Sequence, residues 1–333
     1  TGVLQDPDVD GVFVILTPQS MTDIKTIAEE IARIAREYDK PIYTSFMGEA
    51  DVAEGIKILQ NYHLPHYVLP ESMCKPYHAT LQFNKLIGKK TEPFEKFTDI
   101  DIDKARAVMK KSKEEGRTYI PEYLAAEVVE AYKLPVVPNG FATSPKEAGD
   151  IADKIGYPVV MKVMSDDIVH KFDVKGVILD VSSREEAEAG YNQIIKNVGE
   201  RMPDAKIDGI FIAKQVKPGT EVILGIKRDP SFGSVVMFGL GGVFVEVFKD
   251  VSFRVAPIDK ETAIDMINEI KSTGMLQGAR GRAVRDIDSI AEAIMRLSQL
   301  ALDCPNIKEL DINPLIVHNE GEGCYVADTK IIM

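Results

Sequence analysis

Gly156-Tyr-Pro-Val-Val-Met-Lys162-Val163 runs through Ser165-Asp-Asp-Ile-Val-His170-Lys-Phe-Asp-Val-Lys-Gly-Val177 into Ile178-Leu-Asp-Val181. A Lys-bearing apolar strand enters a polar loop, and a β-rich run leaves it. Lys162 stands among Val159, Val160, Met161 and Val163, so it must either snorkel to solvent or meet an anion. His170 has Asp166, Asp167 and Asp173 within four residues. A neutral imidazole on a mobile loop is a good nucleophile near pH 7. Taken alone, a histidine in such a loop is more often a surface residue that only makes hydrogen bonds.

Outward from this stretch, the pattern stays α+β with antiparallel strands. Helices are predicted at 122–132, 146–155, 184–198, 260–272 and 287–303. Strands are predicted at 158–164, 176–182, 208–216, 220–227, 234–238, 243–248, 309–317 and 324–330. Gly239-Leu-Gly-Gly242 lets backbone approach a phosphate or another loop, or simply turns the chain, and Glu246 follows on the next strand. Asp311 and Asn313 alternate on one strand and so share a face. Asp328 lies on a following strand able to pair with it. Oxygen ligands on neighbouring strands, shared with nucleotide phosphates, suit Mg²⁺; an ordinary strand edge with polar ends has the same residues. Arg254, Arg280 and Arg282 are candidates for phosphate or interface contacts.

The N-terminal third differs. Residues 11–17 are a continuous apolar run, as in a parallel strand covered on both faces. Helical periodicity over 22–38, a strand at 41–48, a helix at 52–62, a strand at 66–69 and a helix at 71–89 follow. This β-α-β-α-β-α order predicts half of a flavodoxin-like parallel domain. Residues 90–117 are rich in Lys, Glu and Asp and read as an exposed linker with one helix. The expected organisation is therefore 1–89, a partial flavodoxin-like α/β domain; 90–117, linker; 118–205, a first α+β subdomain bearing the His170 loop; and 206–333, a second.

With 333 residues, two or three domains are expected. Forty basic against 52 acidic residues give a net charge of −12, which argues against nucleic acid or an anionic membrane as partner. Cys74, Cys304 and Cys324 are widely spaced, which suits free thiols in a reducing compartment rather than a disulfide framework or zinc site. No apolar run approaches the roughly 18–20 residues of a membrane span, and no signal peptide is visible, so a cytoplasmic location is expected. The sequence opens Thr1-Gly-Val without an initiator Met and reads as a piece of something longer.

At these residues the sequence resembles the ADP-forming (NDP-forming) acyl-CoA synthetases, relatives of succinyl-CoA synthetase. Asp8-Val-Asp-Gly-Val, Thr17-Pro-Gln and Met47-Gly48 resemble the last flavodoxin-like domain before the linker. The 156–177 stretch, Arg228-Asp-Pro-Ser-Phe-Gly233, the Gly239 cluster with Glu246, Leu310-Asp-Ile-Asn-Pro and Ala327-Asp328 look like the family's two-subdomain ATP-grasp domain. The resemblance implies the reaction acyl-CoA + ADP + phosphate ⇌ carboxylic acid + CoA + ATP. It puts His170 at the phosphohistidine of a shuttling loop and Lys162 at the nucleotide phosphates. Lys214, Gln215 and Val216 fall near the adenine-binding hinge, with Glu221 in the same site. Asn313 and Asp328, with Asp311, fall on the Mg²⁺ positions. Asp166 or Asp173 is our own choice for orienting the second ring nitrogen of His170.

Two lysines depart from the family pattern: Lys175 and Lys133 each stand where a glycine is usual. The larger departure is an absence. The family's CoA-binding domain, and a Ser-His-Thr-Gly-like stretch with a second active-site histidine, do not occur here; His63, His66, His78 and His318 lack that context. CoA and a small carboxylic acid are therefore expected on missing domains, carried by a second chain or fragment in an oligomer, and this chain alone is expected to lack acyl-CoA chemistry. A regulatory ATP-grasp module, as in relatives fused to protein acetyltransferases, is the alternative. A third possibility, an ATP-grasp ligase making an acyl-phosphate directly, would not need a loop histidine.

Overall fold

The computed structural model describes residues 1–88, 94–168, 170–242, 250–281 and 283–333. The chain divides into two units, Thr1–Glu92 and Pro93–Met333.

In the first unit, α1 (Gly2–Gln5) precedes β1 (Val12–Leu16), which pairs in parallel with β2 (Ile42–Phe46), from Val12 opposite Ile42 to Leu16 opposite Phe46. The connection is α2 (Ile24–Ile34), started by Asp23, whose carboxylate accepts from the Thr26 N–H at 3.1 Å. Helices α3 (Glu49–Asn61) and α4 (Cys74–Gly88) follow. Ala28, Phe46, Val52 and Leu59 form the core. Two details differ from expectation. β2 is buried throughout, but β1 exposes Phe13 and Ile15, so it is an edge strand rather than one covered on both faces. The strand expected at 66–69 is reduced to a single bridge between Thr44 and His66, because Pro65 and Pro70 bracket it and remove ladder donors.

The second unit holds two antiparallel sheets. The smaller has the order β4 (Asn139–Ala142), β7 (Gly209–Lys214), β5 (Val159–Met164), β6 (Val177–Val181). Helices α7 (Pro145–Ile155) and α8 (Arg184–Arg201) cover one face, where Ala148, Ala152, Ala187 and Ile194 meet Val159, Met161, Val163, Ile210 and Ile212. Each helix is capped by the serine before it, Ser144 or Ser183, accepting from the third residue on.

Among the described residues the larger sheet has seven strands. Its order is β10 (Val251–Val255), β9 (Gly233–Leu240), β8 (Thr220–Asp229), β11 (Glu309–Val317), β13 (Thr329–Ile332), β3 (Tyr119–Ile120), with β12 (Cys324–Val326) also on β11. It packs with α5 (Ile102–Glu114), α6 (Glu122–Ala131), α9 (Lys260–Glu269) and α10 (Ile287–Asp303) into the main core.

Both expected boundaries in this unit move. β7 is hydrogen-bonded between β4 and β5, so residues 209–214 belong to the smaller sheet, not to a subdomain starting at 206. Residues 94–117 are no exposed linker. Helix α5 buries Ala105, Met109 and Ser112 in the main core, and Arg296 anchors the segment before it through Asp99 at 3.1 Å and the Phe97 ring at 4.0 Å. The inward stripe is made of small or single apolar residues four and three apart, and the lysines and glutamates on the other faces dominate its composition. The strand expected at 243–248 with Glu246, Arg282, and the side chain of Arg280 lie outside the described residues. Arg254 is paired with Glu269 at 2.6 Å. Among the described residues no helix is long and apolar enough to cross a membrane, and the three cysteines are free.

Candidate functional site

Strand alternation decides where Lys162 goes. Val159, Met161 and Val163 point to the helices, so Lys162 projects from the opposite face of β5 toward the larger sheet. There its ammonium donates to Glu122 Oε1 at 2.7 Å, to Asp328 Oδ2 at 3.1 Å and to the Ala327 carbonyl at 3.2 Å. Burial disfavours its charge, but Glu122 and Asp328 outweigh burial and raise its pKa. Glu122 opens α6 and is only 8% exposed. Its second oxygen accepts from Lys171, the residue after His170. Burial alone would push the Glu122 proton on; the two lysines reverse that and hold its carboxyl below the usual range. Asp328 behaves oppositely. Its burial raises the carboxyl above the usual range against the pull of Lys162. Asp311 is raised by burial and then by the charge of Asp328.

A cavity of about 530 Å³ opens on this cluster, lined among others by Glu122, Lys162, His170, Lys171, Asp328 and Lys330. His170 sits exposed on its rim. The loop is tied at its base, where Gly176 N–H donates to the Lys171 carbonyl at 2.8 Å and the Gly176 carbonyl accepts from Val163 N–H at 2.7 Å. A Cβ at Gly176 would come within 2.4 Å of Val163 Cγ1, so glycine is required by this close approach.

Neither expected partner of His170 is where we put it. Asp166 accepts from the Tyr119 hydroxyl and from Arg117 at 3.4 Å, and among the described residues Asp173 meets His170 only through its own N–H, which donates to the His170 carbonyl at 3.2 Å. Tyr119 and Arg117, 47 and 49 residues upstream, outcompete a histidine that points to solvent.

The remaining expected residues form two groups. Asp311 lies on β11 opposite Lys330, and Asn313 N–H donates to the Asp328 carbonyl at 3.2 Å where β11 meets the start of β13; of the three, Asp328 lines the cavity. Among the described residues no three His, Cys, Asp or Glu side chains converge into a ready ligand set. The donors on offer are two carboxylates and one amide oxygen, and both carboxylates are destabilised as anions by burial. That chemistry fits a hard divalent cation. Lys214, Gln215, Val216 and Glu221 lie instead along the β7–β8 connection, apart from the lining of this cavity. Lys214 donates to the carbonyls of Gly156 (3.0 Å) and Tyr157. Gln215 brackets Asp180, accepting from its N–H at 2.8 Å and donating to its carboxylate at 2.6 Å. Glu221 backs onto the glycine cluster: its carbonyl accepts from Gly241 N–H at 2.8 Å, and a Cβ there would sit 3.1 Å from the Glu221 side chain.

Sequence reasoning missed Glu122 and Lys171. Glu122 reads as an ordinary acidic first-turn residue, 40 positions from Lys162. Lys171 adjoins His170, and that adjacency was the available signal.

A family model described as an ATP-grasp domain matches residues 111–333. Acetate–CoA ligase [ADP-forming] I of Archaeoglobus fulgidus is 39% identical over 329 residues, 99% of this chain and 47% of the relative. The chain thus spans about half of that protein. Acetate–CoA ligase [ADP-forming] I subunit beta of Pyrococcus furiosus is 43% identical over 233 residues, 70% of this chain and 99% of the subunit. Among solved structures, acetyl-coenzyme A synthetase 1 of Ca. Korarchaeum cryptofilum, in complex with coenzyme A and Mg-AMPPCP and with its phosphohistidine segment pointing towards the nucleotide binding site, aligns with a TM-score of 0.61 and 39% identity, covering 69% of this chain and 99% of that one.

Proposed function

The chain belongs to the ADP-forming acyl-CoA synthetase family and carries its ATP-grasp domain, and on that premise we propose that it is the ATP/ADP-binding, phosphohistidine-carrying portion of such an enzyme. One observation supports the reading above the others: Lys162, Asp328 and His170 line one cavity, with the loop beside His170 fastened to the Lys162 cluster through Glu122.

Phosphoryl transfer depends on positioning and on neutralising charge. Lys162 is poised for the β- and γ-phosphates. Reaching them requires it to leave Glu122 or Asp328, and a phosphate offers the anion that replaces them. Mg²⁺, held by Asp311, Asn313 and Asp328, would neutralise phosphate charge when bound. The neutral imidazole of His170 attacks the γ-phosphorus, the P–N bond forms, and the bond to the β–γ bridging oxygen breaks so that ADP leaves. In the synthetic direction the same steps run in reverse. Lys214, Gln215, Val216 and Glu221 are proposed to face the adenine end. CoA and a small carboxylic acid would bind on domains outside this sequence, on a second chain or fragment in an oligomeric enzyme, and His170 would carry phosphate to them.

A regulatory module would not need Lys162, His170, Asn313 and Asp328 together, and their joint presence favours the enzyme. Incubation with Mg²⁺ and γ-labelled ATP should give an acid-labile, base-stable phosphoprotein that is lost in His170→Ala. A wild-type chain that binds ATP but takes no label would overturn the proposal.

A further inference from the structure

The charged stretch from Arg106 to Arg117, whose composition reads as linker, forms one wall of a second cavity, of about 950 Å³. Arg106, Lys110, Lys113 and Arg117 are spaced four, three and four apart, which places them on one side of α5 and the turn after it. Asp303 at the end of α10, residues 304–306 after it and Lys308 form a second wall, and Arg228 near the end of β8 a third. Met109, Pro305 and Met333 supply apolar surface between them.

The charge balance here is unlike the rest of the protein. The chain carries a net −12, yet among the described residues six cations line this cavity against one side-chain carboxylate, Asp303. A terminal carboxylate at Met333 would make two. Lys110 reaches Glu114 at 3.8 Å, and Arg117 reaches Glu115 at 3.2 Å and Asp166 at 3.4 Å. Among the described residues, no carboxylate lies at ion-pair distance from Arg106, Lys113, Arg228 or Lys308. Arg228 is also held in place. Its Nη2 donates to Ser234 Oγ at 3.1 Å and to the Ala301 carbonyl at 3.3 Å, while its buried Nε has no partner. Like charges at these helical spacings destabilise a helix, and a buried donor without an acceptor is costly. A polyanion in the cavity would relieve the repulsion among the cations that line it.

We propose that this cavity is a second anion site, separate from the Lys162 cluster, that takes a short polyphosphate or a phosphate ester. Guanidinium groups match phosphate oxygens in pairs, the lysines add point charge, and the apolar wall accommodates an organic group on the phosphate. The volume admits a ligand of nucleotide size.

The test titrates the full chain with inorganic tripolyphosphate at constant salt, in wild type and in the triple variant Lys110→Gln/Lys113→Gln/Lys308→Gln. Arg117 is left in place because it also holds Asp166. We expect two classes of site in the wild type, and loss or at least tenfold weakening of one in the triple variant, with Mg·ATP binding kept. Equal stoichiometry and affinity in the two proteins would overturn the proposal. If the triple variant does not fold, Lys113→Gln and Lys308→Gln singly should each weaken that class at least threefold, and no change in either overturns it. Competition by ADP for that class marks a nucleotide-like ester as the ligand; tripolyphosphate binding that ADP does not displace marks an inorganic polyanion.

Discussion

Glu122→Gln is the sharpest perturbation of the site. Glu122 is 8% exposed and holds two ammonium groups, Lys162 on one oxygen at 2.7 Å and Lys171 on the other. Removing one partner of a buried ion pair costs about 3–5 kcal/mol, because the remaining charge is left uncompensated. Lys162 keeps Asp328 at 3.1 Å, and the Lys171 side chain is 22% exposed and free to turn to water. The lower end, about 3 kcal/mol, is therefore expected. For a unit the size of Pro93–Met333 that lowers the melting temperature by roughly 6–12 °C, at about 2–4 °C per kcal/mol. The pH dependence has a definite sign. The folded-state pKa of Glu122 is depressed, so its contribution is complete above the ordinary carboxyl value of 4.5 and is lost as pH falls through the lower folded value. Calorimetry of both proteins should show a constant gap between pH 6 and 8 that narrows only below about pH 4.5. A gap under about 2 °C at pH 7, or one that widens on acidification, refutes the account.

Other consequences are smaller. Lys171→Gln should speed hydrogen exchange across residues 165–176 severalfold while leaving the melting temperature within a few degrees; exchange equal to wild type would show that the Glu122 contact does not hold the loop. Lys133 and Lys175, which stand where the family pattern has glycine, adopt φ of 58° and 51°. Left-handed backbone costs a side-chain-bearing residue about 1–2 kcal/mol, and glycine gives back roughly 0.5–1 kcal/mol through the unfolded chain. Each Lys→Gly variant should therefore be up to about 1.5 kcal/mol more stable in chemical denaturation, and a clear loss of stability at both positions would contradict the strain argument.

The legible parts of this protein were those in which a local pattern carries the physics. Alternation along Val159–Met164 put Lys162 on its own face, and the pairing of the Asp311–Asn313 strand with the next one set Asn313 against Asp328. Lys133 and Lys175 show a signal that was noted and not used: both stand where glycine is usual, and the fold holds both in left-handed backbone. What failed were statements about partners. Asp166 was assigned to His170 by proximity in sequence, but Tyr119 and Arg117 claim it across 47 and 49 residues. Glu122 was invisible for the same reason, since nothing in an acidic helix start announces a lysine 40 residues downstream. β7 went to the wrong subdomain because an apolar strand does not say which sheet it joins; its neighbours are decided by pairing with β4 and β5. The error over 94–117 was compositional. Charge density measured the faces of α5 that meet solvent or the second cavity, while Ala105 and Met109, with Val108 beside them, carry its attachment to the core. A charged segment is best judged by whether its few apolar residues share a helical face, because one such stripe is enough to dock it. The same test applied to its cations finds Arg106, Lys110, Lys113 and Arg117 on a common side, so a stretch whose composition reads as linker carries two stripes, one that anchors and one that charges a cavity.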